Sequence, residues 1–291
     1  MIDGRTAVEA GATALVGAAV AVPVMTAAIR RAPAALVRTN VEGARVPAVL
    51  GGPVAAGGLA AVGGAVAAVE LGWFESGAHR MNLAVALLIV VMWAAGAWDD
   101  KRGDERPRGF RGHLGALAGG RLTGGMVKLV AGGLAGLAAG RILTPDLWAV
   151  IEIGVLVALG ANLINLVDRA PGRAGKVVIL LVVPMVLVGS STWTVATAGA
   201  FAALLVCLPA DLGARAMLGD AGANPLGALV GLGLAAALNE PARLVAFGLL
   251  VLLNLASEKW SFSRLIERSA PLRAVDMWGR ARPTDEKTGG D

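Results

Sequence analysis

Long apolar runs separated by short polar segments dominate the hydrophobic pattern of this chain. The runs cover residues 7–29, 47–69, 81–98, 124–141, 147–165, 176–189, 192–208, 225–238 and 242–256. A helix needs about 20 apolar residues to cross a hydrocarbon core, at roughly 1.5 Å of rise per residue. The pattern therefore predicts an all-α polytopic integral membrane protein with about nine transmembrane helices, within a range of roughly eight to ten.

The composition excludes an ordinary soluble domain. Of the 291 residues, 56% are hydrophobic and 16% are charged, whereas charged residues make up about 25% of a typical soluble domain. The 41 glycines suit close helix packing in lipid, because small residues let backbones approach each other. We expect a transmembrane domain over residues 1–256 and a basic, amphipathic cytoplasmic tail over residues 257–291, lying on the inner leaflet.

The cationic residues are distributed unevenly between the connections. Most of the 26 Lys and Arg lie in the odd-numbered connections, counted from the amino terminus, and in the tail. By the positive-inside rule, these segments are cytoplasmic and the amino terminus lies outside. The net charge of +5 is thus placed where it meets anionic membrane lipids, and we expect no nucleic-acid partner.

Two adjacent carboxylates, Asp99 and Asp100, directly follow the third apolar run. Because neighbouring anions repel each other, a cation is expected beside them, either a divalent metal or a phosphate held through one. Lys128 is placed inside the fourth apolar run, where an unpaired ammonium costs about 2.5 to 3.5 kcal/mol. Its natural partner is one of these carboxylates or a substrate phosphate. The alternative is that the two acids only mark the water interface.

Further polar residues occur in the connections that we predict to be cytoplasmic. Arg38 and Asn40 in the first connection could hold phosphate oxygens, although a solvated basic loop next to anionic lipid explains them equally well. His113 in the third connection is a candidate substrate-binding residue, and the alternative is an ordinary surface histidine.

Two groups of polar residues flank the later runs. Asn162, Asn165 and Asp168 are spaced by three, so a continuing helix would place them on one face, where they bind a ligand or bridge neighbouring helices. Asp220 lies between glycines before the run that opens at Pro225. A helix start behind it favours a metal that bridges this carboxylate and a diphosphate, and a simple glycine turn is the alternative.

Five features in order resemble the polyprenyl-phosphate N-acetylhexosamine-1-phosphate transferase superfamily, the MraY/WecA-like, glycosyltransferase family 4 type. They are the basic first connection that ends in glycine and proline, the Asp99-Asp100 pair, Lys128, the NLINLVD stretch at 162–168 and the GDAG turn at 219–222. Enzymes of this family transfer a sugar 1-phosphate from a UDP-sugar to a polyprenyl phosphate and release UMP. The resemblance spans Arg38 to about Gly227.

The resemblance implies roles for these residues. Asp220 would be the main Mg²⁺ ligand, with Asp100 as a second and Mn²⁺ as a substitute ion. Asp99 and Asp100 would hold or deprotonate the lipid phosphate, and Lys128 would neutralise phosphate charge. Asn162, Asn165 and Asp168 would line the donor pocket. The implied protein is a multi-pass, inner-membrane enzyme of bacterial cell-wall biogenesis, with its site facing the cytoplasm, and the resemblance leaves a homodimer open.

The chain departs from the family pattern on the donor side. Pro171 stands where the family has a second aspartate, Met217 replaces an aromatic residue before the GDAG turn, and the tail contains no histidine. These differences favour a divergent member. They keep two alternatives open: a non-catalytic relative that binds polyprenyl phosphate or scaffolds envelope assembly, and a transporter.

Overall fold

The structure is a computed structural model that describes residues 3–40, 43–74, 78–102 and 124–280. Nine helices form its body: α1 (Gly4–Arg30), α2 (Gly51–Glu70), α3 (His79–Arg102), α4 (Gly124–Leu143), α5 (Leu147–Val167), α6 (Arg173–Val188), α7 (Ser191–Leu212), α8 (Asp220–Ala237) and α9 (Glu240–Lys259). Two short helices follow, α10 (Phe262–Arg268) and α11 (Ala270–Met277). The described part of the chain is therefore almost entirely helical, as the apolar pattern predicted.

The helices also have the length and composition of membrane helices. Seven of the described helices are long and apolar enough to cross a membrane, and α6 and α8 are not among them. The 16 residues of α6 fall short of the usual span. These properties favour a protein embedded in a membrane, whereas the count of nine crossings and the external amino terminus stay predictions.

Helix α8 lies at the centre of the bundle. Its residues from Ala221 to Gly233 are all buried, so it is covered on every side rather than along one stripe. It packs closely against α5, because a side-chain carbon at Gly227 would lie within 2.7 Å of the Ala161 Cα. The indole of Trp193 on α7 adds a hydrogen bond to the Leu229 carbonyl, 3.1 Å long. The small residues thus let α8 fill the middle of the protein.

A short β-hairpin follows α1. Strands β1 (Val37–Thr39) and β2 (Arg45–Pro47) pair antiparallel, with Arg38 opposite Val46. The hairpin is attached to the segment that precedes α8, since Met217 donates its N–H to the Pro47 carbonyl at 2.9 Å. The first and seventh connections therefore meet at the end of the bundle where α8 begins.

The two tail helices dock on the start of α6 through polar contacts. The guanidinium of Arg173 is buried and forms a bidentate pair with Asp276, with distances of 2.7 and 2.9 Å. It also donates to the Ser263 hydroxyl at 2.9 Å. The other face of α11 is apolar and exposed, including Leu272, Val275 and Met277. Helix α11 is therefore amphipathic, in agreement with the sequence.

Candidate functional site

The two adjacent aspartates lie inside α3 rather than beyond its end. The helix continues to Arg102, so Asp99 and Asp100 occupy its last turns, and they are 1% and 5% exposed. Carboxylates at the carboxyl end of a helix are unfavourable, and burial adds a desolvation cost. Their surroundings must therefore supply positive charge or hydrogen-bond donors.

Lys128 supplies the positive charge. Its ammonium lies 2.8 Å from Asp99 Oδ2 and 2.6 Å from Asp220 Oδ2, and its side chain is 12% exposed. A buried lysine of this kind is stable only when it is paired, and here it is paired with two carboxylates from different helices. The sequence-based expectation that Lys128 pairs with an acid of the Asp99-Asp100 pair agrees with this geometry.

Asn165 completes the contacts of Lys128 and Asp220. With its amide oriented to satisfy both neighbours, its nitrogen donates to Asp220 Oδ1 at 2.6 Å and its oxygen accepts from Lys128 Nζ at 3.1 Å. Asp99, Lys128, Asn165 and Asp220 thus form one hydrogen-bonded group, which we call the lysine cluster. Four residues from α3, α4, α5 and α8 meet there.

Asp100 caps the amino terminus of α8. Its Oδ1 accepts the Asp220 N–H at 3.1 Å and its Oδ2 accepts the Ala221 N–H at 2.9 Å. Gly219 precedes the helix with a φ of +66°, and a side-chain carbon there would lie 2.9 Å from Asp100 Oδ2. The helix therefore begins at Asp220 instead of at Pro225, because Asp100 satisfies its first N–H groups.

Asp168 directly follows the last residue of α5. Burial and then the negative charges of Asp211, Asp220 and Asp100 raise the pKa of the Asp168 carboxyl well above its usual value. A carboxylate in such surroundings lacks positive charge. Asp168 also lines a small cavity together with Asn40, Pro171, Asp211 and Met217.

The remaining predicted site residues have other positions. Asn162 is exposed and donates to Asn254 Oδ1 at 2.6 Å, so it faces α9 instead of Asn165 and Asp168. The prediction of one shared face is wrong, because a spacing of three rotates each side chain by about 60° from the one before, and because α5 ends at Val167, before Asp168. Arg38 donates to the carbonyls of Ala35 and Val37, both at 2.9 Å. His113 falls within 103–123, outside the described residues.

Sequence reasoning missed Asp211, which lies near the end of α7 and is 2% exposed. An acidic residue within the last turn of an otherwise apolar helix was a usable signal, since buried carboxylates need partners. The sequence also gave no reason to single out Arg173 and Asp276, because ion pairs between segments far apart have no local pattern.

The acidic residues of the site suit Mg²⁺ only in part. No group of three or more His, Cys, Asp or Glu suited to a metal occurs within the described ranges. Nevertheless, Asp99, Asp100, Asp168 and Asp220 outnumber the single ammonium of Lys128 that pairs with two of them. Mg²⁺ typically uses one or two carboxylates together with substrate phosphates and water. Asp220 fits this role better than Asp100, because its donors are the side chains of Lys128 and Asn165, which can turn away, whereas Asp100 accepts two backbone N–H groups of α8.

No model of a known protein family matches this chain, and no curated protein sequence is significantly similar to it.

Proposed function

We propose that this protein transfers a sugar 1-phosphate from a UDP-sugar to a polyprenyl phosphate at the cytoplasmic face of the bacterial inner membrane, in cell-envelope glycan synthesis. The observation that carries the proposal is the meeting of Asp99, Asp220 and Lys128 at a helix amino terminus. Such a mixture of acid and cation suits phosphoryl transfer, which depends on positioning and on charge neutralisation.

The reaction would exchange one phosphorus–oxygen bond for another. An oxygen of the polyprenyl phosphate attacks the β-phosphorus of the UDP-sugar, and a new P–O bond forms there. The bond from that phosphorus to the oxygen bridging it to UMP breaks, and UMP leaves with the electron pair. Both substrates are anionic, so the cations at the site decide whether they can approach.

Each residue of the site would have its own role in this reaction. Lys128 would move one of its hydrogen bonds from a carboxylate to a phosphate oxygen, and Asp99 would then accept the proton of the lipid phosphate. Asn165 and Asp168 would contact the donor, and Asp100 would keep Asp220 in place by capping α8. Mg²⁺ or Mn²⁺, held by Asp220, would neutralise charge on the diphosphate.

One feature favours a non-catalytic protein that binds polyprenyl phosphate as the second candidate. Each oxygen of Asp100 and of Asp220 already has a hydrogen-bond donor within the protein. A site saturated in this way could bind a lipid phosphate through Lys128 without turning over a donor.

Release of UMP separates the two candidates. Purified full-length protein with Mg²⁺, undecaprenyl phosphate and either UDP-N-acetylglucosamine or a UDP-muramoyl donor should release UMP, detected by chromatography. Asp220→Asn should lower the rate by about 100-fold or more, because it removes the proposed metal ligand. Asp146→Asn is the matched control, since Asp146 is exposed and caps α5 through a role that asparagine also fills.

A different result would contradict the transferase proposal. If a panel of UDP-sugars yields no UMP while the protein still binds undecaprenyl phosphate in a Lys128-dependent manner, the transferase proposal is wrong and the binding protein is favoured.

A further inference from the structure

Beside the lysine cluster, the structure contains a second pair of carboxylates, Asp168 and Asp211. They line the same small cavity between the end of α5, the end of α7 and the segment before α8. Asp211 comes from a helix that contributes nothing to the lysine cluster. This pair therefore needs its own explanation.

Asp211 is a buried acid with an unsatisfied oxygen. It is 2% exposed, and among the described residues no hydrogen-bond donor lies within bonding distance of its Oδ2. An ionised carboxylate in this position is costly unless a cation or donor occupies the space in front of it. The cavity provides that space, since Asp211 is part of its wall.

Asp168 faces the same cavity, and the Gly219 N–H donates a hydrogen bond to it. Among the charged neighbours of Asp168, Asp211 has the largest effect, and after burial its charge is the main reason that the pKa of Asp168 is raised. Asp211 is thus near enough to Asp168 to raise its pKa, and both side chains line the same cavity. A cation between them would relieve both.

The basic side chains nearby do not fill that role. Arg169 also lines the cavity, but it is exposed and no ion pair joins it to Asp168 or Asp211. Lys176 acts on Asp211 only through its charge, and its ammonium donates instead to the carbonyls of Val275, Asp276 and Trp278. Arg280 also acts on Asp211, but its guanidinium pairs with Asp276 at 2.6 Å.

The size of the cavity limits what it can bind. Its volume is about 10 Å³, which is room for roughly one water-sized species. A single ion fits such a space. Two carboxylates with water are a common ligand set for Mg²⁺ and Mn²⁺.

We propose that Asp168 and Asp211 bind a divalent cation in this cavity, at a site distinct from the Asp99-Lys128-Asp220 contacts. The ion needs neither a nucleotide sugar nor a lipid phosphate to bind, although the proposed function also places the donor against Asp168. The bound ion would join the ends of α5 and α7 beside the start of α8.

Mn²⁺ binding to the purified full-length protein in nanodiscs tests this inference, with no nucleotide sugar and no polyprenyl phosphate present. Electron paramagnetic resonance measures the free ion during a titration. Asp211→Asn and Asp168→Asn should each lower the affinity by roughly tenfold or more, because each removes a charged ligand. Asp146→Asn, the exposed control, should leave it unchanged.

Asp220→Asn distinguishes this site from the ion of the proposed reaction. That ion needs diphosphate oxygens, which are absent, so Asp220→Asn should weaken Mn²⁺ binding far less than Asp211→Asn does. Unchanged affinity in Asp211→Asn, or loss of binding in Asp220→Asn alone, would overturn the inference whether or not UMP is released.

Thermal unfolding provides a second readout. Mn²⁺ should raise the Tm of the wild-type protein and leave that of Asp211→Asn unchanged. Without the ion, Asp211→Asn should unfold at a higher temperature than the wild type, because a buried unpaired charge is removed. An equal Mn²⁺-induced rise in Tm for both proteins contradicts the proposal.

Discussion

At the scale of single residues, Lys128 decides the charge balance of the site. Its ammonium pairs with the carboxylates of Asp99 and Asp220 and donates to the amide oxygen of Asn165. Each partner comes from a different helix. Lys128 therefore stabilises the protein by holding four helices together, in addition to any role in binding phosphate.

Replacing Lys128 should destabilise the protein. Lys128→Gln leaves the carboxylates of Asp99 and Asp220 buried without their cation, and breaking such a pair typically costs about 3 to 5 kcal/mol. Denaturant unfolding followed by tryptophan fluorescence measures the loss. The double variant Lys128→Gln/Asp99→Asn should recover part of it, because one unpaired charge is gone. Equal stability of both variants would show that Asp99 and Lys128 are not coupled.

At the scale of elements, the start of α8 offsets the unfavourable energy of a carboxylate at the end of α3. Asp100 lies near the carboxyl end of α3, where the helix dipole disfavours an anion, yet it faces the amino end of α8, where an anion is favoured. Helices α3 and α8 approach each other closely enough to allow this contact. A side-chain carbon at Gly96 would overlap the Asp220 carbonyl. Helix packing through glycine thus places the capping carboxylate.

The tail helices are a separate element whose attachment depends on Arg173. Arg173→Gln should speed amide hydrogen exchange in α10 and α11 by roughly tenfold or more, since it removes the buried partner of Asp276. Arg268→Gln is the matched control, because Arg268 is an exposed arginine of α10. Equal exchange in both variants would mean that the apolar face of the tail, rather than the ion pair, holds it.

The pH dependence of this attachment follows from Asp276. Burial raises its pKa, but the hydrogen bonds and charge of Arg173, with the charges of Arg280 and Lys176, lower the pKa below its usual value. The ion pair therefore contributes fully above the unfolded pKa of about 4 and is lost as the pH falls through the lower folded value. Tail exchange, corrected for intrinsic rates, should be constant between about pH 5 and pH 8.

At the scale of the whole molecule, the charged clusters lie at one end of the bundle. The hairpin, the lysine cluster, the cavity and the base of the tail all surround the start of α8 and the ends of α3 and α5. By the positive-inside rule, we expect this end to be the cytoplasmic one. A site there would be open to soluble nucleotide sugars and to lipid phosphates in the inner leaflet.

Cysteine labelling tests that orientation. The native Cys207 is buried, so it should give little background. A cysteine at Thr144, between α4 and α5, should react with an impermeant maleimide in intact cells, whereas one at Arg268 should react only after the membrane is opened. Labelling of Arg268→Cys in intact cells would show that the orientation is the opposite of the proposed one. Cytoplasmic donors could then not reach the site.

The sequence by itself determined the helical architecture. Within a membrane, the backbone N–H and C=O groups of a long apolar run can form hydrogen bonds only within their own helix. It also singled out Asp99, Asp100, Lys128, Asn165, Asp168 and Asp220 as chemical candidates, since polar groups in such runs are costly. Only the tertiary structure decided their partners. Asp100 caps the start of α8, Asn162 contacts α9, and Asp211 lines the same cavity as Asp168. Contacts between distant helices depend on packing distances, and no local pattern encodes them.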